Sequence, residues 1–399
     1  MSRQRLAVSV AFLAFGAVAG SWVPRLPAIK DHLHLTDGQV GYALLAFAVG
    51  AVLGAGVARM VLARGARRWV RGGTVAISAA LIGPALAGNF PSLLAALLLL
   101  GVFTGLVDVL ENAQAAELER VAATPLINGF HGFWSLGAII GSVLAAIAAY
   151  SGVSPLPQFA FTALVAAGGS ALFLRDLPDT RSGGHHVAPS GAGRMWLTGS
   201  VIAVTAIAFG TLVSESGTAD WSALYLRDVS GAGPGIAAAG FAGFSLAMTV
   251  VRFRADLLTA HTSPATVARL GGLIAAGGLV LAIAVPALPG AITGIALVGA
   301  GTAVLFPLAV SAAANLGKSG TALTLVMAGG YAGSIVGPAL IGNAADHVGL
   351  RVAFVIPLAA TIVIIVLAGS LQGRAEKVTS PLAGEVGPGR RPRPGGGPG

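Results

Sequence analysis

Apolar residues fall in long blocks separated by charges, prolines or Gly-polar breaks, and the block length sets the reading. A bilayer core about 30 Å thick takes roughly 20 residues of helix. Twelve runs approach that size: Leu6 to Val23, Val40 to Leu62, Thr74 to Ala87, Ser92 to Ala116, Leu126 to Ala149, Phe159 to Leu174, Leu197 to Val213, Ile236 to Val251, Val267 to Val285, Ala291 to Ala314, Ala322 to Asn343 and Val352 to Leu371. The third, sixth and eighth are short or Gly-rich. The first follows Arg3 and Arg5 like a signal peptide, but it is too long for a typical h-region, lacks a small-residue cleavage site before Trp22, and is followed at once by a second run. The pattern predicts an all-α membrane protein with 12 transmembrane helices.

Composition narrows this further. Hydrophobic residues make up 55% of the 399 and charged residues only 10%, against about 25% in soluble domains. A cytosolic enzyme is excluded, and the absence of cysteine excludes a disulfide-stapled secreted domain. The net charge of +9 would suit a nucleic-acid partner, but the basic residues sit in the gaps between runs, not on a stripe with aromatics. They read as a topology signal. With both termini cytoplasmic, 20 of the 24 Lys and Arg residues fall on the inner side, leaving Arg25, Lys30, Arg227 and Arg351 outside. The expectation is a multi-pass protein of the cytoplasmic (inner) membrane.

The longest polar gap, RDLPDTRSGGHHVAPSGAGR, splits the runs six and six. It predicts an N-terminal six-helix bundle (1–174), a cytoplasmic linker (175–194), a C-terminal six-helix bundle (195–372) and a disordered basic tail (373–399). Weak echoes between the halves suggest duplication. Gly137 and Gly141 match Gly333 and Gly337 at an offset of 196, Trp22 matches Trp221 at 199, and Arg59 matches Arg252 at 193.

Six plus six spans, a central linker and a basic turn between spans two and three resemble the major facilitator superfamily. The turn GAGVARMVLARGARR keeps Gly65, Arg67 and Arg68 of the family's G-x-x-x-D-R-x-G-R-R signature, with Ala63 or Arg64 where an acid is usual. The turn after span eight, VVRFRADLL, keeps Arg252 and Asp256. The resemblance implies that Arg67, Arg68, Arg252 and Asp256 belong to a cytoplasmic latch. SWVPRLPAIK, DVLENAQ, GFHGFWSLG, DWSALYLRD and GGYAGSIVGPALIG are similar more particularly to the MosC-like and YbjJ-like branch, and distantly to fucose permease. That branch implies a small polar solute such as a sugar, polyol or inosamine-like compound.

Span four carries Asp108, Glu111 and Asn112 at i, i+3 and i+4, on one helical face. A carboxylate at such depth costs on the order of 2 to 3 kcal/mol, so these groups should meet a watery cavity, a partner or a proton. Asp108-x-x-x-Asn112 resembles the acid-x-x-x-Asn arrangement in span four of fucose permease, which implies a proton carrier at Asp108 and a solute contact at Asn112. The second acid that the permease has in span one is missing here. In span five, His131 lies one turn after Asn128 and one turn before Trp134, at a depth comparable with Asp108, where the two could share a proton. Helix-to-helix hydrogen bonding is the bland alternative for a histidine so placed.

Glu215 and Asp220 lie toward the outer end of span seven; the resemblance, in which helices one and seven face the central pathway, implies that Glu215 could line the outer cavity and take part in proton coupling while Asp220 could meet Arg25 or Arg227 as an outer gate. Trp134, Phe244 and Tyr331 could stack on a sugar-like face; Trp22 and Trp221 suit an aromatic belt equally well. Pro338 marks an expected break in span eleven.

No P-loop, H-E-x-x-H or similar cluster occurs, so neither ATP-driven pumping nor metal chemistry is indicated, and no cofactor is expected. The span-five Gly-Pro motif of drug-proton antiporters is also unmatched. The leading expectation is a monomeric secondary transporter of a small polar solute, coupled to H⁺. A drug or metabolite antiporter, a membrane-embedded enzyme using Asp108 and His131, and a non-transporting sensor are the competing readings.

Overall fold

The computed structural model describes residues 3–62, 65–122, 124, 126–177, 198–255, 262–316 and 321–371, with the side chain of Asn128 excepted. Most of the linker, the basic tail and Asp256 lie outside the described residues.

Among them, twelve helices are long and apolar enough to cross a membrane. They are α1 Arg3–His32, α2 Asp37–Leu62, α3 Ala66–Leu86, α4 Phe90–Ala122, α5 Gly129–Tyr150, α6 Pro155–Asp176, α7 Gly199–Asp228, α8 Pro234–Phe253, α9 Pro264–Ala284, α10 Leu288–Asn315, α11 Thr321–Val348 and α12 Leu350–Leu371. Several outrun their apolar cores. α3 begins eight residues before Thr74, and α7 continues fifteen residues past Val213. Hydropathy stops where polar residues begin, but a helix whose polar side chains are buried against its neighbours need not stop there.

We call the end carrying Arg3, Leu62, Ala122, Gly199 and Leu371 the near face, and the end carrying His32, Asp37, Tyr150, Asp228 and Val348 the far face. α1 packs on α5, and α7 packs on α11. Gly137 and Gly141 bring α5 against the carbonyls of Leu13 and Ala17, while Gly333 and Gly337 bring α11 against those of Phe209 and Val213. α2 and α4 approach as closely: a Cβ added at Gly105 would overlap the carbonyl of Ala51, and one at Gly54 that of Val102. Such small-residue seams hold helices together where hydrocarbon surrounds them and apolar burial contributes little. Six buried hydroxyls are satisfied within their own helices. Thr74, Ser78, Ser142, Ser170, Thr211 and Thr302 each donate to the carbonyl four residues back.

α11 runs unbroken through Pro338, contrary to the expected break. Instead α1 is interrupted by a 3₁₀ turn at Val23–Arg25, which contains Pro24, with Pro27 in the first turn of the segment that follows. Trp22 and Trp221 are buried between helices instead of forming a belt. Trp22 stacks on Phe47 with ring centroids 4.9 Å apart, and Trp221 donates its indole N–H to the carbonyl of Pro338 at 3.1 Å. The halves meet along α2 with α11 and along α5 with α8.

Candidate functional site

A polar chain crosses from α4 to α5 where the halves face each other. Asn112 Nδ2 donates to both the backbone carbonyl and Oδ1 of Asp108, at 2.9 and 3.1 Å, and Asn112 Oδ1 lies 3.1 Å from Nε2 of His131. With both amide donors on Asp108, Asn112 Oδ1 can only accept, so His131 carries a proton on Nε2. The expected neighbourhood of Asp108 and His131 is therefore real but indirect: an amide stands between them. His131 also packs edge-on against Phe12, with centroids 5.4 Å apart. Asp108 is exposed at mid-helix and His131 is exposed in the first turn of α5, so the polar chain opens toward the near face.

Glu111 does not share that opening. It points into the N-terminal bundle at 1% exposure, and neither carboxyl oxygen has a hydrogen-bond partner among the described residues. The i, i+3 spacing put it on the face of Asp108, yet the bundle claims its side chain.

Across the gap, Arg252 of α8 pairs with Glu215 of α7 at 3.4 Å and donates to the carbonyl of Ala303 at 3.2 Å. Arg252 lies close enough to His131, and Asp108 to Tyr331 of α11, for direct electrostatic influence across the halves. A cavity of about 180 Å³ opens beside Arg252, walled by Trp134 and Ser135 of α5, Glu215, Ser216 and Asp220 of α7, and Phe244, Ser245 and Thr249 of α8. Trp134, Phe244, Glu215, Asp220 and Arg252 thus converge from both halves. Tyr331 is half exposed and packs toward Phe306.

The gating expectations are redistributed. Asp220 meets neither Arg25 nor Arg227. Arg25, 3% exposed, donates to the carbonyls of Ala145 and Val153, tying α1 to the turn between α5 and α6. Arg252, one residue from the near-face end of α8, pairs with Glu215 of its own half and not with a residue of the other half. Arg68 is exposed, its guanidinium 5.5 Å from the Trp69 ring centroid, and Arg67 is half-buried.

The far face carries a latch that the hydropathy pattern did not suggest. Arg227 pairs with Asp31 at 2.7 Å and donates to the carbonyl of Pro27 at 2.7 Å; Lys30 pairs with Asp37 and, at 3.1 Å, with Asp228; Thr36 donates to Asp346 at 2.9 Å. These contacts tie the N-terminal half to the C-terminal half. Local geometry aims it. His34 in the left-handed conformation, with Leu35 N–H on the Lys30 carbonyl at 3.0 Å, closes α1 as a Schellman turn. Thr36 and Gln39 then form a capping box at the start of α2. The signal was present in TDGQ and in the adjacent opposite charges of Lys30-Asp31 and Arg227-Asp228. A larger cavity, about 540 Å³, lies on this face around Arg25 and Arg227 and holds none of the central carboxyls.

Two helical bundles clasping a polar cavity, closed at one end by charge pairs, define the class of membrane solute transporters. The sequence profile of the Major Facilitator Superfamily matches residues 7–317, and the chain belongs to that family. It is 33% identical over 352 residues to an uncharacterized transporter, y4wD, of Sinorhizobium fredii, covering 88% of this chain and 93% of the relative. It is 29% identical over 365 residues to the membrane protein MosC of Rhizobium meliloti, covering 90% and 88%. Among solved structures it resembles a variant of the nucleoside transporter NupG, at TM-score 0.74 and 13% identity over 93% of this chain and all of that one. It also resembles a D-xylose-proton symporter, at TM-score 0.67 and 14% identity over 93% and 97%. The protein is a multi-pass membrane transporter and not an enzyme.

Proposed function

We propose that this transporter moves a small polar solute across the cytoplasmic membrane by alternating access, coupled to protons at Asp108. The observation that carries the reading is the placement of Asp108, Asn112 and His131 opposite Glu215 and Arg252, with ion pairs joining the halves at the far face. The excess of Lys and Arg on near-face segments supports a cytoplasmic near face, so this conformation is the inward-facing one. Asp108 is the proton carrier. Asn112 holds it and presents its remaining capacity to solute, and His131 positions Asn112. Trp134 and Phe244 supply stacking surface, and the Glu215–Arg252 pair senses which way the cavity opens. The D-xylose-proton symporter, similar in fold, is a protein whose own name couples a sugar to protons.

The test is flux in proteoliposomes under an imposed pH gradient. Asp108→Asn should abolish uphill accumulation of solute while retaining exchange of internal for external solute. Uphill accumulation that survives Asp108→Asn contradicts the assignment.

A further inference from the structure

The charges on the wall of the 540 Å³ far-face cavity do not balance. Arg227 and Asp31 both line it and pair with each other. Arg25 lines it too, and among the described residues it meets no carboxylate within ion-pair distance. Its guanidinium donates to the carbonyls of Ala145 and Val153, and its Nε has no partner. An arginine stays charged wherever it is placed, and at 3% exposure water does little for this one. Carbonyl dipoles serve its donors but supply no counter-charge. Two helix starts add the same sign. α6 begins at Pro155 and α8 at Pro234, both on the wall, and neither Ser154 nor Gly233 before them caps the first turn with its side chain. The remaining lining is largely apolar, with Ile29, Ala85 and Leu156. At roughly 30 Å³ per water the cavity has the room of about 18 waters, more than a bare oxyanion fills.

We propose that this cavity binds an anionic phosphate ester, its phosphate held by Arg25 and the starts of α6 and α8 and its neutral body laid along Ile29, Ala85 and Leu156. The ester arrives either as the headgroup of an anionic phospholipid or as a soluble ester, since both bring the same oxyanion. The cavity lies at the far ends of the spans, where Leu86 and Tyr150 are exposed, so a lipid headgroup can reach it. A zwitterionic headgroup is disfavoured, because it brings a second cation to a wall whose one acid, Asp31, is already paired. The site is separate from the central gap and stands whether or not Asp108 carries protons. A purely structural Arg25, tying α1 to the turn between α5 and α6, makes the opposite forecast: no anion binds.

The experiment uses the full chain, stripped of lipid in detergent and titrated with phosphatidylglycerol, with phosphatidylcholine of the same acyl chains, and with glycerol 3-phosphate. Binding is read by native mass spectrometry and by thermal stabilisation. At least one of the two anionic probes should bind about tenfold or more tightly than phosphatidylcholine, and the tighter of the two identifies the source. Arg25→Gln should lower that affinity about tenfold, and Arg25→Lys, which keeps the charge, should lower it less. Ser154→Asp caps α6 and sets a carboxylate on the wall, so it should weaken anion binding while keeping or raising the stability of the unliganded protein. That variant keeps the test available if Arg25→Gln fails to fold. Phosphatidylcholine bound as tightly as both anionic probes, no binding of either anionic probe, or an undiminished affinity in a folded Arg25→Gln or in Ser154→Asp overturns the inference.

Discussion

Asn112 is the residue on which the central site turns, because one amide spans the two groups that could titrate. Its donors are taken by Asp108 and one lone pair of its oxygen by His131, and an amide does not exchange the proton that a carboxyl or imidazole can. The proposed proton carrier, Asp108, therefore has no direct contact with the imidazole through which to exchange a proton. His131→Gln offers an N–H to the same oxygen, so it should lower flux by no more than a few-fold and leave its pH profile in place, whereas His131→Leu, which strands that oxygen, should cost more. Counterflow measured from pH 5.5 to 8.5 checks this. A displaced profile in His131→Gln would return the imidazole to the proton path.

Asp108 and Asn112 were legible in the sequence because their spacing is a property of one helix. Their link to His131 depends on the register of α4 against α5, and no single-chain spacing encodes that. Glu111 shows the same limit in reverse. The helical wheel puts it beside Asp108, while packing turns its side chain into the bundle, leaving a buried carboxyl with both oxygens unpartnered.

Among the elements, close helix pairs are set by glycines at four-residue spacing. Gly101 and Gly105 of α4 meet the carbonyls of Phe47 and Ala51, and Gly50 and Gly54 of α2 meet those of Leu98 and Val102. A side chain at Gly105 has no flexible neighbour to displace, only backbone, so Gly105→Ala should cost about 1–3 kcal/mol, the usual range for overpacking. Gly168 of α6 faces open space, and Gly168→Ala should be neutral within about 0.5 kcal/mol. Thermal unfolding in detergent, followed by tryptophan fluorescence, separates the two. Equal stability of both variants would mean that the seam is loose.

The existence and order of the spans were readable because a bilayer leaves a helix little choice: apolar runs of that length must cross. The ends were not readable. α7 carries Glu215, Asp220, Trp221, Arg227 and Asp228 inside one helix, since their side chains find α11, the other half or the cavity instead of water. The break in α1 was likewise hidden, because prolines at the first turn of a new helix look the same as prolines after its end.

At the scale of the molecule, the alternating access proposed above turns on how strongly the far face is sealed. The far seal is built from Lys30, Asp31, Asp37, Arg227, Asp228, Thr36 and Asp346, with Gly41 of α2 against Ala339 and Gly342 of α11 beneath it. Its ion pairs are only partly buried, so each contributes modestly and the set acts as a network sensitive to salt. That is a useful strength for a seal that must open in every cycle. A population held 99:1 moves to even occupancy for about 2.7 kcal/mol, within reach of losing two or three such contacts.

The chain has no cysteine, so pairs of spin labels can be introduced without background substitutions. One pair at His32 and Ile236 spans the far face, and another at Val121 and Phe253 spans the near face; all four side chains are exposed. Inter-label distances compared between the wild-type network and Asp31→Asn with Asp228→Asn test alternating access most directly. Loss of the two carboxylates should lengthen the far-face distance and shorten the near-face distance in the same population. Far-face lengthening with an unchanged or longer near-face distance would mean that the halves merely loosen, and the two-sided motion proposed for this transporter would be contradicted.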